Sequence, residues 1–184
     1  MRSKLLIIFT LLLLLSTCIY AQAHAMTVIK VPDTFESVRE WNYIDRLINS
    51  DQDKVYRLVW QGWGGEVSIL KKFLNSVKSA QKKKKIIIID VVGDSNSCHA
   101  MGVCSANKTL FKNNAILMFH SVSWGFWGFE WRVDNSDYKD MFDECVKKNI
   151  IPSWVYDKVQ AGYIVYVNPK TKWYYIVKDD RLVW

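Results

Sequence analysis

The sequence is poor in the residues that build metal centres and linkers. Three His and four Cys occur in 184 residues, and no two Cys stand as CxxC, which argues against a zinc staple. There are three prolines, no proline- or serine-rich stretch divides the chain, and no internal repeat is visible. No GxxxxGK[ST] loop occurs, so the chain is not a P-loop ATPase. The charge balance of 25 Lys+Arg against 18 Asp+Glu is far from that of a nucleic-acid-binding arm. No metal, nucleotide or other cofactor is implied, and no nucleic-acid partner is expected. What is abundant is apolar residues, at 50% of the chain, enough for one α/β-sized core without staples.

One apolar run dominates the start. Leu5 to Leu15 is broken only by Thr10, follows Arg2 and Lys4, and precedes Ala21-Gln22-Ala23 and Ala23-His24-Ala25. A charged start, an apolar run too short for a membrane span and small residues at −3 and −1 together describe a secretory signal. Residues 1–25 are therefore read as a signal peptide and 26–184 as a single domain, exported to a periplasmic or secreted location. Thr17 is a poor residue before a lipidated cysteine, so Cys18 is not read as a lipoprotein anchor. With Arg2 and Lys4 removed, 23 basic residues face 18 acidic ones and the mature charge is +5. No other segment is long and apolar enough to span a bilayer. Cys98, Cys104 and Cys145 then sit in an oxidising compartment. Three thiols allow at most one intramolecular bridge, with the pair left open.

Along the mature chain, strand and helix patterns alternate. Val28–Val31 reads as a strand, and Asp33 or Thr34 as the cap of a helix over Phe35–Asn49. Val55–Gln61 is a strand, Gly62-Trp63-Gly64-Gly65 a turn, and Glu66–Ala80 a helix. Lys82 to Lys85 form a solvated turn into Ile86–Val92, which reads as a strand buried on both faces. A short helix follows from Cys98 to Ala106, then strands over Thr109–Phe111 and Ala115–Phe119. The aromatic cluster from Trp124 to Trp131 reads as core or subunit interface. Helices over Ser136–Lys148 and Ser153–Val159 precede strands over Tyr163–Val167 and Lys172–Val177. The expected fold class is α/β: a mostly parallel sheet of β-α-β units flanked by helices, with a small C-terminal αβ appendage.

Three places could carry chemistry. Gly64-Gly65 follows one strand, Ser97 another, and His120 ends a third, and in such sheets functional groups collect at the carboxyl ends of strands. A hydroxyl there becomes a nucleophile if an imidazole takes its proton, and backbone N–H groups beside glycine can hold an oxyanion. Gly64-Gly65-Glu66-Val67, then Gly93-x-x-x-Ser97, then Asn114-Ala115-x-x-Met118-x-His120 resemble the Clp protease proteolytic-subunit family, within the Clp/crotonase fold. The first two features are also similar to the signal-peptide-peptidase-A family. The resemblance spans residues 28–120.

The resemblance implies Ser97 as nucleophile and His120 as general base. It implies an oxyanion hole from the N–H of Gly64 or Gly65 with that of Cys98, and peptide or unfolded-protein substrates, in a homo-oligomer without a cofactor. The family's third triad member is an aspartate well downstream of the His. Here that neighbourhood is Val167-Asn168-Pro169-Lys170, so Asn168 or Asp157 is left to orient the imidazole. His99 offers a second imidazole and Cys98 a second nucleophile beside Ser97. The readings in competition are an exported serine peptidase, a catalytically degenerate binding or scaffold protein on the same fold, and a non-peptidase acyl hydrolase.

Overall fold

In the computed structural model, the described residues are 26–50, 53–121, 123–126, 129–132, 138–178 and 182–183. The signal-peptide reading of residues 1–25 and the roles given to the side chains of Trp124 to Trp131 lie outside the described residues.

Among the described residues the architecture is α/β: a mixed, mostly parallel sheet and five α-helices. Two strands form its centre, β3 (Val55–Gly62) and the long β5 (Ile86–Asn96). β1 (Met26–Lys30) pairs β3 in parallel, and β3 pairs β5 in parallel. The far edge of β5 is shared. Its first half pairs β6 (Lys108–Phe111) and its end pairs β7 (Leu117–Phe119), both in parallel. β10 (Tyr163–Asn168) then adds antiparallel to β7, and β11 (Trp173–Lys178) closes the edge as a hairpin. The C-terminal strands are thus a continuation of the main sheet, not an appendage. Val165 and Val167 are wholly buried, so the hairpin has a face that must join the core.

The β-branched strands alternate as a pleat demands. Tyr56, Leu58 and Trp60 of β3 and Ile87, Ile89 and Val91 of β5 are buried on one face. They pack with Trp41, Ile44 and Ile48 of α1 (Val38–Asn49) and with Ile69, Leu70, Phe73 and Val77 of α2 (Val67–Lys82). The opposite face of β5 is only partly covered. Ile86 is exposed, and Asp90 is buried because it pairs with Arg57 across the sheet. The four isoleucines are therefore not equally buried, because an ion pair and half-exposed residues occupy the second face.

Two further differences from the pattern bear on function. Among the described residues the first helix begins at Val38, with the Ser37 hydroxyl, three residues after Thr34 and four after Asp33, accepting from Glu40 N–H. Thr34–Phe35 instead forms a short strand, β2, in parallel with β4 (Gly64–Gly65). Phe35 is wholly buried and stacks on Trp41 at 4.0 Å, which outweighs its helix propensity. After β5 come α3 (Cys98–Gly102) and a 3-10 turn (Val103–Ser105).

A second sheet joins β8 (Ser123–Phe126), β9 (Phe129–Arg132) and β12 (Leu182–Val183). Helices α4 (Lys139–Lys147) and α5 (Trp154–Gln160) complete the chain. Among the described cysteines, Cys104 and Cys145 are joined and Cys98 is free. The bridge ties the 3-10 turn to α4 across 41 residues of sequence. A loop of that length is worth about 4 kcal/mol in the chain-entropy account. Among the described residues no helix is long and apolar enough to cross a membrane.

Candidate active site

The site is built where β5 ends. Asn96 is the last residue of β5 and Cys98 the first of α3, so one residue, Ser97, must turn the chain from strand to helix. It does so at φ 54° and ψ −119°, a conformation that L-residues rarely adopt. The surrounding backbone holds it there. Ser97 N–H donates to the Met118 carbonyl of β7 at 2.7 Å, and the Ser97 carbonyl accepts from Met101 N–H at 3.1 Å. A serine held so costs of order 1–3 kcal/mol, which the two flanking elements must supply.

The glycine turn lies against this serine. A Cβ added to Gly64, whose φ is +110°, would sit 2.8 Å from Ser97 Cβ and 3.3 Å from Ser97 Oγ. Only glycine allows that approach. A Cβ on Gly65, at φ +127°, would fall 2.6 Å from Phe35 N. The two glycines therefore let β4 lie between the β2 strap and the serine. Sequence reading identified Gly64-Gly65 but missed the strap.

Cys98 secures the same junction. Its thiol donates to the Gly65 carbonyl at 3.1 Å, and burial pushes its pKa up to about 12, partly offset by a hydrogen bond with the Ser97 side chain. A thiol held neutral is a poor nucleophile, so Cys98 is a structural neighbour of Ser97 and not its rival.

His99 has no exposed surface and lies in an aromatic cage, with ring centroids 4.6 Å from Phe35 and 5.2 Å from Trp60. Its Nε2–H donates to the Pro32 carbonyl at 2.9 Å, and its Nδ1 accepts from Gly64 N–H at 3.3 Å. Burial lowers its pKa to about 4, against smaller opposing effects of these contacts and Asp33. Both nitrogens serve to join the strap to the glycine turn, so His99 is not the base. The Gly64 N–H is correspondingly committed to His99.

His120 stands at the end of β7. Parallel pairing sets Asn96 opposite Met118, so Ser97 and His120 leave the carboxyl ends of neighbouring strands. The imidazole is half-buried, and its Nδ1 lies 2.7 Å from the Ser121 carbonyl. With Nδ1–H donating to that oxygen, Nε2 carries the lone pair. Ser121 is itself buried, its hydroxyl donating to the Val159 carbonyl near the end of α5 at 3.2 Å.

The two candidate orienters stand otherwise. Asn168 is at the wrong end of the sheet. Antiparallel register sets Val165 opposite Phe119 and Val167 opposite Leu117, which carries Asn168 towards the start of β7 while His120 follows its finish. Its amide donates to the Asn113 carbonyl at 2.9 Å, and its oxygen accepts from the N–H groups of Lys170 and Thr171, each at 3.0 Å. Asn168 therefore stabilises the β10–β11 turn. Asp157 is exposed on α5. Among the described residues no group of three or more His, Cys, Asp or Glu is placed to hold a metal ion.

The strand-to-helix serine, its glycine neighbours and an imidazole on the adjacent strand end are suited to acyl transfer. No family model matches the chain, and no curated protein matches it.

Proposed function

We propose that this chain is an exported serine peptidase of Clp/crotonase-like fold, acting through Ser97 and His120. The observation that carries the reading is the backbone of Ser97. An ordinary strand-to-helix junction does not require a non-glycine residue at φ 54° and ψ −119°. A sharp, strained turn of this kind lifts a serine hydroxyl clear at the end of a strand, as a nucleophile elbow does.

Catalysis then follows from the neighbours. His120 Nε2 takes the proton of Ser97 Oγ as the oxygen bonds to the substrate carbonyl carbon. The N–H groups of Cys98 and Gly65 receive the negative charge that forms on the carbonyl oxygen. Collapse breaks the C–N bond, and the imidazolium returns its proton to the leaving amine. Water then attacks the acyl-serine with the same base, releasing the acid and restoring the hydroxyl. The Ser121 carbonyl takes over the orienting part that a carboxylate plays in a triad, holding Nδ1–H and so placing the lone pair on Nε2.

The Cys104–Cys145 bridge supports an oxidising location. The exposed Trp173, Tyr175, Ile176 and Val177 on edge strand β11 support association with further copies of the chain.

A serine-reactive fluorophosphonate tests the reading. Labelling of the wild type, lost in Ser97→Ala and kept in Cys98→Ala, is the expected result. No labelling under conditions where a known serine hydrolase labels overturns it. One observation favours a second reading, a degenerate binding protein on this fold: the Ser121 carbonyl that meets His120 Nδ1 is neutral and stabilises an imidazolium less than a carboxylate does. If the label appears but only activated esters are turned over, the chain is an acyl hydrolase of another kind.

A further inference from the structure

The base decides where half of the substrate lies. In acyl transfer the imidazolium of His120 returns its proton to the leaving amine. The residues that follow the broken bond therefore run past His120, along whatever surface carries that imidazole.

Strand alternation identifies the surface. On β7 and just beyond it, Leu117, Phe119 and Ser121 are buried. Phe119 packs on Phe142 of α4, and the Ser121 hydroxyl meets the Val159 carbonyl of α5. Met118 and His120 alternate with them, are half-buried, and so belong to the opposite face. Met118 also holds the nucleophile's backbone, its carbonyl accepting from Ser97 N–H at 2.7 Å. Register extends the row across the sheet. Met118 is opposite Tyr166 on β10, and Tyr166 is opposite Tyr175 on β11. Residues directly opposite one another share a face. The rings of Tyr166 and Tyr175 lie 6.0 Å apart, and Trp173 stacks on Tyr175 at 6.1 Å. Trp173 and Tyr175 are 49% and 54% exposed, whereas Val165 and Val167 turn the other face of β10 into the core. One face of the sheet thus carries His120, Met118 and three aromatic rings in succession. Association of copies through the β11 edge uses backbone and leaves this face open.

We propose that Met118, Tyr166, Tyr175 and Trp173 bind the leaving-group half of the substrate and select bulky apolar side chains there. This rests on the acyl-transfer reading of Ser97, and it adds the class of side chain and the side of the broken bond on which it is read. The dimensions suit an extended peptide. β7, β10 and β11 together span about 10 Å, and side chains on one face of an extended peptide recur about every 7 Å. Rings already held by their neighbours lose little freedom when they are covered. What they offer a peptide is apolar contact and stacking.

The test uses Ser97→Ala protein, which cannot turn over substrate, and two tetrapeptide amides with free amines, Phe-Ala-Phe-Ala and Gly-Ala-Gly-Ala, which stand for the leaving half. Calorimetry is expected to find the Phe peptide bound about tenfold more tightly. Methyl NMR should find its rings in contact with the Met118 methyl group, assigned through Met118→Leu. Adding Tyr175→Ser and Trp173→Ala together should remove the preference. Both positions are exposed, so the melting temperature should stay with the parent, and thermal unfolding checks that it does. No preference in the parent, a preference that survives the two changes, or bound rings without contact to Met118 overturns the proposal. So does a dimer, seen by sedimentation, that the two changes dissolve, since a second copy would then cover the face. Fluorophosphonate labelling of wild type reads the other question separately. Preference without labelling leaves a binding face and removes the enzyme, and labelling without preference does the reverse.

Discussion

His99 and His120 are the same residue in two different environments. His99 is enclosed by Phe35, Trp41 and Trp60, and both its nitrogens meet backbone groups, those of Pro32 and Gly64. His120 stands half-buried at a strand end with Nδ1 on the Ser121 carbonyl. His99 is the closer to Ser97 in sequence, yet its ring is spent on holding the β2 strap to the glycine turn. Enclosure and two committed nitrogens, not nearness along the chain, decide what His99 does.

The largest effect should come from exchanging the roles. His120→Ala is expected to lower kcat/KM by roughly a hundred- to ten-thousand-fold while the melting temperature stays near that of wild type. His99→Ala should act in the opposite manner. It opens a cavity in the aromatic cluster and strands the Pro32 carbonyl and Gly64 N–H, at about 3–5 kcal/mol. Denaturant unfolding measures it. Equal stability losses for the two variants would erase the distinction between them.

The pH dependence of stability sharpens the comparison further. The folded pKa of His99, about 4, lies below its ordinary value of 6.5. Above pH 6.5 the ring is neutral in both folded and unfolded chains, and its contribution is constant. As pH falls from 6.5 towards 4 the unfolded chain takes up the proton first, so stability declines. The decline levels off once the folded ring protonates as well. The loss is about 3 kcal/mol, and His99→Gln should remove this part of the profile.

A smaller effect comes from the serine itself. Ser97→Gly should raise stability by about 1 kcal/mol, because glycine relaxes the conformation that serine is forced to hold, and should abolish fluorophosphonate labelling. A variant that is less stable than wild type would show that the turn is not strained. The last measurement leaves stability untouched. Nitrogen-15 NMR of His120 in Ser97→Ala should find the proton on Nδ1, as the Ser121 carbonyl requires. A majority of the Nε2–H form would refute that arrangement.

Much of the scaffold is visible in residue order. The apolar periods of Trp41, Ile44 and Ile48, and of Leu70, Phe73 and Val77, mark α1 and α2 because an amphipathic helix repeats every 3.6 residues. The isoleucines from Ile86 onward mark β5. Gly64-Gly65 and Ser97 stand out because glycine pairs and polar residues after strands are where backbone can approach backbone. The β2 strap was not legible. Two residues, Thr34 and Phe35, carry no periodicity, and their strand exists only because Gly64-Gly65 lies opposite. The choice of Asn168 as orienter failed for a related reason: spacing along a chain does not say which end of an antiparallel strand a residue will reach.

The sequence alone determined the alternation of strands and helices, the glycine turn and the presence of a serine between a strand and a helix. These depend on side-chain period and local backbone freedom, which neighbours in the chain decide. Tertiary structure decided which imidazole was enclosed, which cysteines joined and which tryptophans stayed in water. Those outcomes depend on what long-range packing brings against each group, and so on register and burial that no local pattern encodes.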